Sequence, residues 1–107
     1  MQLMTKELQR KFEIVGAQDG KGINATVLAH YFNPTGRGDW YATEYDPESG
    51  TFFGFVSIFG DHCNEWGYFT IADLQGLTLP LGLSIERDRH YTPRPISYHL
   101  KQLRGIQ

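Results

Sequence analysis

Three aromatic-rich segments follow one another with turn-forming residues between them: Trp40-Tyr41-Ala42-Thr43-Glu44-Tyr45-Asp46, Thr51-Phe52-Phe53-Gly54-Phe55-Val56 and Glu65-Trp66-Gly67-Tyr68-Phe69-Thr70. Short runs rich in aromatic and β-branched residues, punctuated in this way, predict an antiparallel meander. The loop Asp46-Pro47-Glu48-Ser49-Gly50 has hairpin chemistry and returns the chain from a strand over about 39–45 into one over 51–58. That strand is apolar on both sides, with Phe52, Val56 and Ile58 on one and Phe53, Phe55 and Phe59 on the other. A helix on each face, or a partner covering one of them, is therefore expected. Gly54 and Gly67 interrupt the strands, where a missing side chain marks a bulge or lets a ring lie across the backbone; Trp40 and Trp66 are candidates to fill those gaps.

The flanking pattern predicts the remaining elements. Thr5 caps a helix to about Val15 that places Leu8, Phe12 and Val15 on one face. A turn through Asp19-Gly20-Lys21-Gly22 leads to a first strand over about 25–32, ended by Asn33-Pro34-Thr35-Gly36. Thr70 with Asp73 has the spacing of a capping box and opens a short helix to about Gln75. After the apolar connector Leu79-Pro80-Leu81-Gly82-Leu83 come a strand over about 84–91, a stiff extended segment Thr92-Pro93-Arg94-Pro95, and a closing helix over 96–104 with Leu100 and Leu103 inward. The expected architecture is α+β: a small single domain over 1–107, with an antiparallel β-meander of four or five strands and N-terminal, short middle and C-terminal helices.

Composition narrows the function. A chain of 107 residues supports one core. No apolar run approaches the ~20 residues of a membrane span, and the N-terminus lacks the pattern of a secretory signal, so the cytoplasm is the expected location and no membrane partner is expected. Cys63 alone builds neither an internal disulfide nor a thiolate zinc site. Ten Lys and Arg against twelve Asp and Glu give a formal charge of -2, which disfavours a phosphate-binding surface and hence nucleic acid.

Three candidate chemistries stand out. Asp61-His62-Cys63-Asn64-Glu65 has metal-ligand residue types but not ligand spacing, because consecutive loop residues seldom point at one ion. It reads as a polar hairpin loop, and no metal or cofactor is expected. Glu44 with Asp46, and Glu86 with Asp88, share strand faces by the period of two and have the chemistry for acid-base work or Mg²⁺. In Glu86-Arg87-Asp88-Arg89, however, acids alternate with bases, as in a charged edge strand. His30 reads as a satisfied, partly buried histidine. The Tyr and Trp residues at 40, 41, 45, 66, 68 and 91 exceed what a small core needs, and these types anchor protein interfaces.

The motifs Tyr31-Phe32-Asn33-Pro34, Trp40-Tyr41-Ala42-Thr43-Glu44-Tyr45-Asp46, Phe52-Phe53-Gly54-Phe55-Val56, Glu65-Trp66-Gly67-Tyr68-Phe69, Leu81-Gly82-Leu83 and Ile85-Glu86-Arg87-Asp88 resemble, across nearly the whole chain, the bacterial family known as domain of unknown function 2958. The resemblance implies no established activity. It implies a setting on plasmids, phages and integrative elements, and thus accessory roles such as countering host defence. The His62-Cys63 pair is not part of the family pattern, whereas the Trp-Tyr…Glu…Asp and Glu-Arg-Asp motifs are.

Two functional classes follow. The first is a small non-enzymatic binding protein of a mobile element that occludes a host defence protein or complex, of anti-restriction or anti-CRISPR type. Its binding residues would be drawn from Trp40, Tyr41, Glu44, Asp46, Trp66, Tyr68, Glu86, Arg87 and Asp88, and its sign would be a contiguous aromatic and acidic surface. A DNA mimic is a variant that the modest net charge disfavours. The second is a metal-dependent hydrolase or nuclease-like enzyme, which requires Glu44, Asp46, Glu86 and Asp88 to converge in one cleft.

Overall fold

A computed structural model describes residues 2–58 and 65–105, with side chains described through residue 102. Helix α1 (Lys6–Val15) begins where expected, because the Thr5 hydroxyl accepts the Leu8 N–H at 3.1 Å and supplies a partner that the first turn lacks. Leu8 and Phe12 face the core, but Val15 does not: it lies at the frayed end beside Gly16 and is exposed. The chain then forms β1 (Thr26–Val27), β2 (Ala29–Phe32), β3 (Asp39–Asp46), β4 (Thr51–Ser57), β5 (Glu65–Thr70), α2 (Ile71–Gly76), β6 (Glu86–Arg87), β7 (Arg94–Pro95) and α3 (Ile96–Gly105). The main sheet is antiparallel, with strand order β5-β4-β3-β2-β6, and β1 pairs with β7 as a small second sheet. The α+β meander with three helices is thus the fold of this chain.

Two expected strands differ from the pattern. The strand over 25–32 is split at Leu28, where β1 leaves the main sheet to pair with β7, so that Val27 and Leu28 belong to different cores. The strand over 84–91 shortens to Glu86–Arg87, because the Asp88 carboxylate accepts the His90 N–H at 3.0 Å and turns the chain. Thr70 and Asp73 do form the reciprocal capping box that starts α2. The side chain of Leu103, together with Phe59 and the Asp61–Asn64 loop, lies outside the described residues.

Both faces of β4 are covered, as its double apolar pattern requires. On one face Phe52, with Trp40, Tyr31, Ala42 and Phe69, packs beneath Leu8 and Phe12 of α1 and Leu74 of α2. On the other, Tyr41 and Phe55 pack with Val27 and with Ile96 and Leu100 of α3. The faces are set by an irregularity in β3. Ala42 registers with Gly54 and Glu44 with Phe53, so Thr43 is an extra residue, a β-bulge, opposite the β4 backbone. The bulge resets the alternation: Trp40, Ala42 and Tyr45 meet the main core, while Tyr41, Glu44 and Asp46 share the other face. A Cβ on Gly54 would stand 1.9 Å from the Tyr41 carbonyl oxygen, so this glycine permits the close strand approach. Gly54 thus does mark a bulge, but the extra residue is on the neighbouring strand. The Trp40 ring lies against Gly38, where a Cβ would come within 3.3 Å of it.

Candidate binding face

The face bearing Tyr41 and Glu44 is built as cross-strand rows. Register aligns Trp66, Phe55, Tyr41 and His30 across four strands, then Tyr68, Phe53 and Glu44 across three. Helix α3 covers the first row from the His30 side. His99 stacks on Tyr41 at 4.3 Å between ring centres and is hydrogen-bonded through Nε2 to Tyr91 Oη at 2.5 Å. His30 stacks on the same Tyr41 ring at 4.8 Å, and its Nε2 is hydrogen-bonded to Asp39 at 2.7 Å; Asp88 lies 3.8 Å from its Nδ1, beyond hydrogen-bond reach. Burial, helped by the neighbouring His30 and Arg94, pushes the His99 pKa down to about 4, so the ring is neutral at pH 7. Burial likewise raises the phenols of Tyr41 and Tyr91, which stay protonated. This end is a polar and aromatic layer that fastens α3, with a depression of about 330 Å³ at its rim lined by His30, Tyr41, Asp88, Tyr91, Tyr98 and His99 among others.

The second row is open. Tyr68 is 79% exposed and meets Phe53 edge-on at 5.0 Å, while Trp66 lies nearly parallel to Phe53 at 5.9 Å and is half-buried. Two depressions flank Phe53. One, of about 380 Å³, is lined by Gln18, Asp19, Thr43, Glu44, Phe53 and Trp66 among others. The other, of about 240 Å³, is lined by Glu44, Asp46, Phe53 and Tyr68 among others. They share Glu44 and Phe53, and among the described residues neither is lined by Lys, Arg or His. Lys21 sits between Gly20 and Gly22 in the loop over the first, but does not line it.

Local structure holds these acids in place. Gln18, although buried, is fully engaged: its Nε2 donates to the carbonyls of Thr26 and Thr43 at 2.8 Å, and its Oε1 accepts the Thr26 N–H at 2.6 Å. The side chain thereby bonds to the carbonyl at the bulge and clamps the loop before β1. The Gln18 N–H in turn donates to Glu44 Oε2 at 3.1 Å, fixing that carboxylate beside Phe53. Asp46 accepts from the Glu48 N–H and the Ser49 hydroxyl, which orders the hairpin loop.

Four of the nine anticipated residues, Glu44, Asp46, Trp66 and Tyr68, therefore meet on one open face. The other five lie elsewhere. Trp40 is buried in the main core, and Tyr41 is buried beneath α3. Arg87 registers with Tyr31 on the main-core side, and its Nε donates to the Gln2 carbonyl. Glu86 and Asp88 line a separate depression with His30 and Asp39. The two carboxylate pairs share a sheet face but no described cavity. Among the described residues no group of three His, Cys, Asp or Glu side chains is arranged to hold a metal ion, and no helix is long and apolar enough to cross a membrane. Sequence reasoning missed Phe53 and Gln18 on the open face and Asp39 and His99 at the end under α3, where Tyr91, one of the surplus rings, bonds to His99. Gly54, conspicuous inside a strand, was the one signal for the bulge; a lone Gln before a turn carries none.

These features define a small α+β domain whose sheet is closed on one face and half closed on the other. Over residues 3–105 the chain matches the model of a family described as protein of unknown function (DUF2958), and it belongs to that family. Comparisons with curated proteins and with solved structures give no match.

Proposed function

We propose that this is a small non-enzymatic binding protein, acting in the cytoplasm by occluding a host protein, and that it serves a mobile genetic element against a host defence system of restriction or CRISPR type. The observation that carries the binding reading is the open row Tyr68–Phe53–Glu44 with Trp66 and Asp46 beside it. Aromatic rings with a polar rim, left uncovered by the described helices, are the composition of a recognition surface. The surrounding acids favour a protein over nucleic acid, whose phosphates they repel. The mobile-element and defence setting rests on the family resemblance of the motifs. A hydrolase built on all four anticipated acids receives no support from their separation into different depressions.

The test is capture from nuclease-treated host lysate at raised salt with tagged wild-type protein, Tyr68→Ala and a distant control, Leu81→Ala, with bound species identified by mass spectrometry. Leu81 is 94% exposed in the connector before β6 and lines neither depression. A stoichiometric protein retained by wild type and the control, and lost with Tyr68→Ala, is expected. Retention of no protein, or of a protein held equally by all three, would overturn the reading.

A further inference from the structure

The open face carries chemistry that specifies what it receives. The Phe53 and Trp66 rings lie 11° from parallel, and Glu44 borders Phe53 with its orientation set by the Gln18 N–H. Gln18 occupies only Oε2; among the described residues Oε1 has no hydrogen-bond partner. Asp19 on one side and Asp46 on the other add negative charge around Phe53. An aromatic face attracts a cation through its quadrupole, and a fixed carboxylate beside it supplies a charge-assisted acceptor. A planar guanidinium meets both demands at once, since it stacks on a ring while its edge N–H groups reach a carboxylate. A neutral apolar side chain would leave the carboxylates facing it without any gain, and an anion would be repelled.

We infer that the Glu44–Phe53–Trp66 depression receives an arginine side chain from a basic segment of the partner protein. This inference rests on the binding reading above and gives its partner a chemistry. Arginine stacks over Phe53 and Trp66 and hydrogen-bonds to Glu44, with Asp19 and Asp46 raising the local concentration of basic segments. Lysine occupies the same place more weakly, because its ammonium is more strongly hydrated and lacks the planar edge.

The experiment is NMR titration of the purified protein with four blocked tripeptides, acetyl-Gly-X-Gly-amide with X as Arg, Lys, Leu or Glu, following the Trp66 indole N–H and the Phe53 and Glu44 backbone amides. Saturating shifts are expected with the arginine peptide, at a dissociation constant on the order of millimolar for so small a ligand. Weaker shifts are expected with lysine and none with glutamate. Glu44→Gln keeps an oxygen to accept the Gln18 N–H and removes the charge, so the fold is retained and arginine binding weakens about fivefold. Equal or tighter binding of the leucine peptide, or arginine shifts unchanged in Glu44→Gln, would overturn the inference. So would the absence of any arginine shift. Capture of a protein through Tyr68 without arginine binding would sink this inference and leave the binding reading intact; arginine binding without any captured protein would overturn the binding reading and, with it, the assignment of the arginine to a partner protein.

Discussion

On the second face of the sheet, the half around His30, Tyr41 and Phe55 is roofed by α3, whereas the adjoining half around Glu44, Phe53 and Tyr68 stands open. Both halves are aromatic, and both carry acids. In the first, the rings pack on one another: Tyr41 contacts His30 and His99, whose ring centres are 6.3 Å apart, Tyr91 bonds to His99, and Ile96 is fully buried. In the second, no described helix packs over the rings, and the carboxylates are held by backbone N–H groups. Closing a small core consumes aromatic surface, and what is left uncovered after closure is the part available to a partner. The bulge at Thr43 is the boundary, because it decides which residues of β3 reach which half.

The largest disturbance to this arrangement is expected from Gly54→Ala. Its new methyl would collide with the Tyr41 carbonyl and force the bulged strands apart, at more than about 4 kcal/mol in denaturant unfolding. Gly67→Ala, at the paired position on β5 where no atom lies within 4 Å, should shift the midpoint little. Equal effects would show that the close approach of β3 and β4 does not control the sheet. Next comes Ile96→Ala, which opens a cavity under α3 and should cost about 3 kcal/mol while leaving the Tyr68 face unaltered in amide chemical shifts. Gln18→Ala removes the acceptor of the Thr26 N–H and the donor to two carbonyls; a loss of roughly 2 kcal/mol is expected, with Glu44 amide shifts moving because the loop that orients it loosens.

Acidity distinguishes the halves more gently. The folded pKa of His99, about 4, lies below its ordinary 6.5, so the unfolded chain takes up a proton first as pH falls. The contribution of this group to stability is therefore full above pH 6.5 and declines toward pH 4, with a slope of at most about 1.4 kcal/mol per pH unit. His99→Gln should flatten that part of the stability profile, and a profile unchanged by the substitution would show that the ring is not held neutral. The smallest effect on stability belongs to Tyr68→Ala, within about 0.5 kcal/mol in the same assay, because so exposed a ring contributes little to folding. A large destabilisation there would mark Tyr68 as part of the core and remove it from the binding face.

The local signals in the chain were sufficient for its helices and its central hairpin, but not for the strands at 25–32 and 84–91. Thr5 and Thr70 cap the helices they were expected to cap, the Asp46–Gly50 loop makes the hairpin, and the two-sided apolar pattern of β4 correctly required cover on both faces. Such features depend on residues near in sequence, whose spacing is their mechanism. The allocation of side chains to the two faces depended on contacts that spacing does not encode. The Thr43 bulge exists only because Gly54 lies opposite it, and it is held by Gln18, 25 residues away from Thr43. The same long-range packing buried Trp40 and Tyr41, split the strand at Leu28, brought His99 onto Tyr41, and left Trp66 and Tyr68 with Glu44 and Asp46 at the open end. The sequence by itself determined where the helices begin, the central hairpin, and that the sheet must be covered twice. Only the tertiary structure decided which aromatic rings would close the core and which would remain at the surface, because that choice follows from strand register and helix docking rather than from the identity of any ring.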